Sequence, residues 1–277
     1  MKTPMNILKY ILGRKDHAIL HYKGYRYDIY RCPSTAWMPQ DQLKCLQGRI
    51  NDIVLRTCGR APTSGIYVDA GLMKNKTITI ISKDGVDHAF NSLMVIGEHN
   101  NRKVVHIGPV YSATKNKGFM TLLLFFPLTF MMLGTRFHPF YITNITHVPR
   151  VFGMFMDICM NAYPNTDYNA RPTPDQTALK KMLIKTYITE IEPKYKKKIN
   201  DDFILRDFRL QEDGSIIPFP HTPENVPKFS REEVNERCIN LLNYTRGDAL
   251  IQVGEVALAC YYRNNSHSLI RILKKGT

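Results

Sequence analysis

The chain lacks a cysteine framework: Cys32, Cys45, Cys58, Cys159, Cys238 and Cys260 are scattered, with no CxxC pair and no close Cys/His spacing. That scatter argues against a disulfide scaffold and against a structural zinc site, so no metal is expected. There is no internal repeat and no low-complexity linker, which leaves no sign of a repeat array or of tethered modules. The N-terminus, Met1-Lys2-Thr3-Pro4-Met5, lacks a long apolar segment followed by a small-residue cleavage site. No secretory signal is therefore expected, and the cytoplasm is the default location. Acid is scarce as well. Lys and Arg number 38 against 24 Asp and Glu, a formal net charge of +14. Such an excess favours an acidic partner: nucleic acid, an anionic membrane, a phosphorylated cofactor or an acidic carrier protein. Part of it is local, in Lys194-Tyr195-Lys196-Lys197-Lys198 and Lys274-Lys275, where a solvated face is the ordinary explanation.

What is present is enough apolar material for a sizeable core. The 277 residues are 44% hydrophobic and include 15 Tyr and 13 Phe, which marks a folded chain of one large domain or two small ones. Residues 25–32 read as a strand after a Lys23-Gly24 turn. Residues 39–56 read as a helix, with Leu43, Leu46, Ile50, Ile53 and Val54 near a 3.6-residue period. Strands follow at 75–83, closed by Lys83-Asp84-Gly85, at 89–97, and at 104–111 after a polar turn over 98–102. A strand at 139–143 and a helix opening at Pro149 come next, with Val151, Phe152, Phe155, Met156 and Cys159 as its apolar stripe. In the last third, Thr173-Pro174-Asp175 announces a helix through about 191. A strand is expected over 201–210, then an Asp213-Gly214 turn and an irregular loop with Pro218, Pro220, Pro223 and Pro227. Ser230-Arg231-Glu232-Glu233 opens a helix through about 244, and 249–259 is a candidate closing strand.

The most informative stretch is 103–136. A β-branched strand, Val104 to Tyr111, runs into Ser112-Ala113-Thr114-Lys115-Asn116-Lys117-Gly118 and then into Phe119-Met120 and a long apolar helix. Free N–H groups at a helix start, a Gly that admits a close approach and two lysines suit a phosphate or pyrophosphate. An ordinary strand-to-helix turn with solvated lysines is the competing explanation. The helix itself, 118–134, falls a little short of a bilayer span, carries Pro127 in its middle and is flanked by Lys117 and Arg136. A buried core helix is favoured, lying between the sheet and another layer, with Pro127 ending or kinking it.

In this order of elements and in the Lys115-Asn116-Lys117-Gly118-Phe119-Met120 loop, the chain resembles the GNAT acyltransferase superfamily. The family's phosphate loop follows Arg/Gln-x-x-Gly-x-Gly/Ala after the fourth strand; here Lys115 and Met120 depart from it while Gly118 matches. The resemblance covers about residues 20–165. It implies a mixed α/β (α+β) fold with a mainly antiparallel sheet flanked by helices. It also implies a donor-binding core over 20–165, in a chain read as a single domain over 1–277; 166–277 follows the point where cofactor binding ends and is expected to form an extended acceptor-side part. The implied activity is transfer of an acyl group from a phosphopantetheine thioester, acyl-CoA or acyl-carrier protein, to an amine or hydroxyl on a small molecule or protein. Direct attack needs positioning and oxyanion donors but no covalent intermediate.

The candidate donor-binding residues are Val110, Tyr111, Lys115, Asn116, Lys117, Gly118, Phe119 and Met120. His106, on the strand face of Val104, Gly108 and Val110, is a candidate base, against a plain strand histidine with a satisfied hydrogen bond. Asn144 is a candidate for the pantetheine amides and His147 for the alternative base or acceptor positioning, whereas Asn144 or Thr146 could equally cap the next helix. The family's frequent general-acid Tyr on that helix has no match. Met and Phe side chains over 119–160 could line a tunnel for a medium or long acyl chain, or simply form core. A nucleic-acid-binding module would use the charge and the Tyr22–Tyr27 Tyr/Arg interleaving, but leaves the strand-Lys/Gly-helix unit unexplained. A peripheral membrane protein using the 119–133 segment is the third reading.

Overall fold

The computed structural model describes residues 3–60, 65–114, 119–189, 202–210 and 221–257. Lys115, Asn116, Lys117 and Gly118 lie outside them, as do the 194–198 basic tract, the Asp213-Gly214 turn, Pro218 and Pro220. The fold is mixed α/β, with nine strands, mostly antiparallel, and six α-helices among the described residues. The strand order is β1-β2-β3-β4-β5-β6-β9-β7, with β8 paired to β9. The chain divides into two compact units, which the β4–β5 hairpin runs through. Unit 1 takes Met1–Val95 and Ile107–His138; unit 2 takes Ile96–His106 and Pro139–Ser266.

In unit 1 the strands are joined by tight hairpins that the sequence announces. β1 (His17–Tyr22) meets β2 (Tyr25–Arg31) through Lys23 and Gly24, and β3 (Lys76–Lys83) meets β4 (Val86–His99) through Asp84 and Gly85. All four turn residues have positive φ, between 49° and 78°. Two consecutive left-handed residues give a turn whose twist matches the flanking strands. α2 (Gln40–Cys58) follows Pro39 and stops at Gly59, whose φ of 71° lets its N–H return to the Leu55 carbonyl. Its buried stripe is the one the period predicts, Leu43, Leu46, Ile50, Ile53 and Val54, and it packs on Ile78, Ile80 and Phe90. Strand alternation turns Ile81 and Ala89 to the other face, where they meet Tyr27 and the Leu122–Leu123 end of α3 (Phe119–Gly134). α1 (Thr3–Ile11) covers the same face, with Tyr10, Ala18 and Ile29 packed against Phe126 and Phe130.

Of the two outcomes expected at Pro127, α3 does not end there, although Pro127 has no N–H to give the Leu123 carbonyl. Nor is it enclosed: Leu122, Leu123, Leu128 and Met132 are buried, while Leu124, Phe125, Met131 and Leu133 stay partly exposed. α1 and β1 carry no clear period in the sequence and were not expected.

Unit 2 starts at the tip of the hairpin between β4 and β5 (Arg102–Ser112), where Asn100 and Asn101 have φ of 49° and 59°. The strands therefore extend further into the polar stretch than its composition suggests. β6 (Phe140–Thr146) lies antiparallel to β9 (Ala249–Val256), in a register that sets Asn144 opposite Gln252. β7 (Met160–Tyr163) pairs with the other edge of β9, so the last strand is inserted between two earlier ones. α4 (Pro149–Ile158) packs on α6 (Glu232–Leu241), with Phe152 among Val234, Cys238, Leu242, Tyr244 and Leu250. Phe152 and Phe155 are core residues here. α5 (Pro174–Leu183) opens with a Thr173/Gln176 capping box and widens into a π-type turn over Ile184–Ile188. The expected strand over 201–210 shrinks to β8 (Ile204–Leu205), because the chain turns at Asp207, with φ of 56°.

Candidate functional site

His106 is 1% exposed, on the β5 face that looks toward Tyr187. Its Nδ1 lies 3.0 Å from Thr143 Oγ1 on β6, and its ring centre is 4.1 Å from that of Tyr187. The imidazole is thus fixed by a side-chain hydrogen bond on one edge and an aromatic ring on its face. This is the satisfied strand histidine of the simpler expectation.

Asn144 follows Thr143 on β6, so it points to the opposite face of the strand from the His106 contact. It is 4% exposed, and its Nδ2 donates to Gln252 Oε1 at 3.3 Å. Gln252, fully buried, donates onward to the Phe152 carbonyl in α4 at 3.2 Å. The two amides form a closed relay from β6 through β9 to α4. The α4 N-terminus is tied by a neighbour: the Val148 N–H donates to Thr146 Oγ1 at 3.0 Å. That bond shapes the turn before the helix; the N-cap position of α4 is Val148, which has no side-chain cap, so neither Asn144 nor Thr146 caps it.

His147, just past the carboxyl end of β6, belongs to a cluster. Its Nε2 is 3.0 Å from His221 Nδ1, and its carbonyl accepts from the Tyr244 hydroxyl at 2.7 Å. Burial, and then the positive Arg209 and the His221 ring, push the His147 pKa down to about 2. Burial and Arg209 lower His221 as well. Arg209, 4% exposed, is itself drawn down to about 10 by burial, against the opposing influence of Tyr244 and Asp248. Burial raises the Tyr244 phenol. The fully buried Asp248 anchors the turn beneath, accepting from Arg206 at 2.9 Å and from the N–H groups of Asp207 and Asn243 at 3.1 and 3.2 Å. A neutral imidazole held in this way can exchange hydrogen bonds at any physiological pH without storing a proton.

The donor-binding candidates separate by strand alternation. Val110 joins Tyr27, Ile81, Leu122 and Leu123 on the α3 side. Tyr111 turns to the α2 side, stacked on Phe90 with ring centres 5.7 Å apart and edge-on to Tyr67 at 6.5 Å. Burial raises its phenol pKa. Phe119 and Met120 form the first residues of α3, so β5 is followed by the helix that the sequence announces. Three of the described thiols are pushed away from the reactive thiolate form: burial raises Cys32 and Cys58 and pushes Cys238 up to about 12. Among the described residues no group of three or more His, Cys, Asp and Glu side chains could hold a metal ion.

The residues that complete these contacts, Thr143, Tyr187, Arg209, His221, Tyr244 and Gln252, were not singled out in the sequence. His147 and His221 are 74 positions apart and Asn144 and Gln252 are 108 apart, so no local spacing announces either pair. The chain matches no protein-family model and none of the curated proteins with which it was compared.

Proposed function

We propose that this protein is a GNAT-like acyltransferase, moving an acyl group from a phosphopantetheine thioester to an amine or hydroxyl by direct attack. The observation that supports it best is the succession β2, α2, β3, β4, β5, α3, β6, α4, with Lys115, Lys117 and Gly118 between β5 and the start of α3. In this proposal the loop's N–H groups and lysines hold donor phosphate. Holding donor and acceptor together supplies on the order of 7–11 kcal/mol of the acceleration.

Of the two histidines considered, His147 is the better placed to position the acceptor. His106 is enclosed by Thr143 and Tyr187, whereas His147 ends a strand and keeps a neutral ring in contact with a second imidazole. Amine attack on a thioester carbonyl generates an ammonium far more acidic than the free amine. A ring whose pKa is held at about 2 stays neutral and does not take up that proton, so in this proposal His147 orients the acceptor by hydrogen bonding and the proton leaves through solvent.

Calorimetric titration with acetyl-CoA and a long-chain acyl-CoA tests the donor half. Binding by the wild type is expected, with Gly118→Trp weakening it by at least about tenfold while the melting temperature stays put. Absence of donor binding by the wild type would overturn the proposal. Steady-state rates test the other half: His147→Gln should lower kcat with little change in KM for the donor.

A further inference from the structure

The sequence holds no acidic residue before Asp16 and none between Glu98 and Asp157. Both acid-free stretches contribute helices to the same face of unit 1. α1 turns Tyr10 inward, 3% exposed, against Phe130 at 5.9 Å between ring centres. Its opposite side carries Leu8 and Leu12, an i, i+4 pair left 56% and 57% exposed. The C-terminal end of α1 adjoins that of α3: the Cβ direction of Gly134 meets the Ile11 carbonyl at 3.7 Å. Just beyond, Arg136 and Phe137 take consecutive left-handed conformations, φ of 53° and 63°, which side chains larger than Gly adopt at a cost. The Phe137 N–H donates to the Met132 carbonyl at 2.8 Å, pinning the turn and leaving its ring 45% exposed.

Three large apolar side chains therefore stand out at one end of unit 1. The charged side chains beside them are mainly cations: Lys9 between the two leucines, Arg14 and Lys15 in the turn after α1, and Arg136 beside Phe137, all exposed, with Lys15 bonded to Asn6 Oδ1 at 3.1 Å and Asp16 following it. Protein-binding patches concentrate their apolar residues centrally and are depleted in Lys. Apolar side chains interleaved with Lys and Arg instead suit the boundary between acyl chains and anionic headgroups. No described helix is long and apolar enough to cross a membrane, so the contact would lie along the surface.

We propose that the α1 and α3 ends of unit 1 dock on an anionic lipid surface, with Leu8, Leu12 and Phe137 inserted among the acyl chains and Lys9, Arg14, Lys15 and Arg136 on the headgroups. The docking surface stands independently of the acyltransferase proposal. Sedimentation of the full chain with vesicles of phosphatidylcholine, with and without phosphatidylserine, tests it. Binding is expected only with phosphatidylserine present and should weaken as salt is raised. The triple variant Leu8→Asp, Leu12→Asp, Phe137→Asp should lower partitioning by more than about a hundredfold. Charge reversal at Lys9, Arg14 and Lys15 should lower it by at least roughly fivefold per residue. All these side chains are exposed, so both variants should keep the wild-type circular dichroism and melting temperature. Wild-type chain that ignores phosphatidylserine, or variants that partition like the wild type, would overturn the proposal. So would variants that change only the sedimentation coefficient of the vesicle-free chain, since the patch would then be a contact with a second copy.

Discussion

His147 Nε2 and His221 Nδ1 share one hydrogen bond of 3.0 Å, next to the buried Arg209. A second positive charge in that cluster is strongly opposed, so the folded state keeps His147 neutral while the unfolded chain protonates it near its ordinary value of 6.5. The folded-state pKa is the lower of the two, so the stabilisation is complete above about 6.5 and is lost as pH falls from there toward 2. Each pH unit in that window costs about 1.4 kcal/mol. Urea unfolding from pH 7 to 4.5 should show this slope, and His147→Gln should flatten it.

A second acid-sensitive point lies in unit 1. Asp28, 1% exposed, accepts from His17 at 3.0 Å and from Arg26 at 2.8 and 3.0 Å, with Arg49 at 3.5 Å. Burial alone would raise its pKa, but the His17 and Arg26 bonds and the two guanidinium charges outweigh it and hold the carboxyl at about 2. A depressed carboxylate contributes stability above its unfolded value of 3.8, and that stability disappears as pH falls from there to about 2. The contribution is about 2 kcal/mol. Asp28→Asn should remove this loss and cost about 3 kcal/mol at pH 7, because Arg49 would keep Asp87 and Tyr30 but lose its buried anion. Equilibrium unfolding of both proteins at pH 7 and pH 3 would check it.

The His106–Thr143 bond bears on stability. Thr143→Val conserves volume but removes the hydroxyl at 3.0 Å, leaving a buried imidazole nitrogen without that partner. A loss of about 1–2 kcal/mol is expected. Thr143→Ser, which keeps the hydroxyl, should recover most of it. A Ser variant as unstable as the Val variant would point to the methyl group instead.

Much of the fold was legible because it is built from local signals. The 3.6-residue stripe of α2, the Lys23-Gly24 and Asp84-Gly85 turns, and Pro149 at the start of α4 each lie within a few residues of one another. β1 was missed because only one of its faces is well covered, so His17 to Tyr22 alternate weakly. β7 is four residues long and gains its identity only from pairing with β9, almost a hundred positions later. The candidate site divided in the same way. His106, Asn144 and His147 were found because they sit on or just after recognisable strands. Their partners Tyr187, Gln252 and His221 come from distant elements, and nothing in a window around any of them marks the contact.

Packing in unit 2 turns on two glycines. A Cβ at Gly153, in α4, would sit 2.5 Å from the ring of Phe229, and one at Gly254, in β9, would sit 2.7 Å from Cys159 Cβ. Gly153→Ala gains helix propensity but must displace a partly buried ring, and a net loss of about 1–3 kcal/mol is expected. Combining it with Phe229→Ala should cost less than the sum of the two single changes, since the clash vanishes with the ring. Thermal unfolding of the three variants makes the cycle. Strict additivity would show that Phe229 swings aside freely.

The net charge of +14 gives the proposed donor reaction its sharpest test. A free acyl-CoA meets the protein as a small anion, whereas an acyl-carrier protein presents an extended acidic surface, and the attraction between two large opposite surfaces acts mainly on the association rate. In the proposed reaction Lys115 and Lys117 would hold phosphate in either donor, so loop variants should weaken both. Only the carrier reaction should depend strongly on the charges away from the loop. The expected outcome is that acyl-carrier thioesters match or exceed acyl-CoA in kcat/KM at low salt. Their advantage should then fall by roughly an order of magnitude as the screening length shortens from about 30 to 8 Å. Measuring kcat/KM for an acyl-CoA and the matching carrier thioester across that range checks it. Equal salt responses for the two donors would confine the electrostatic recognition to the phosphate.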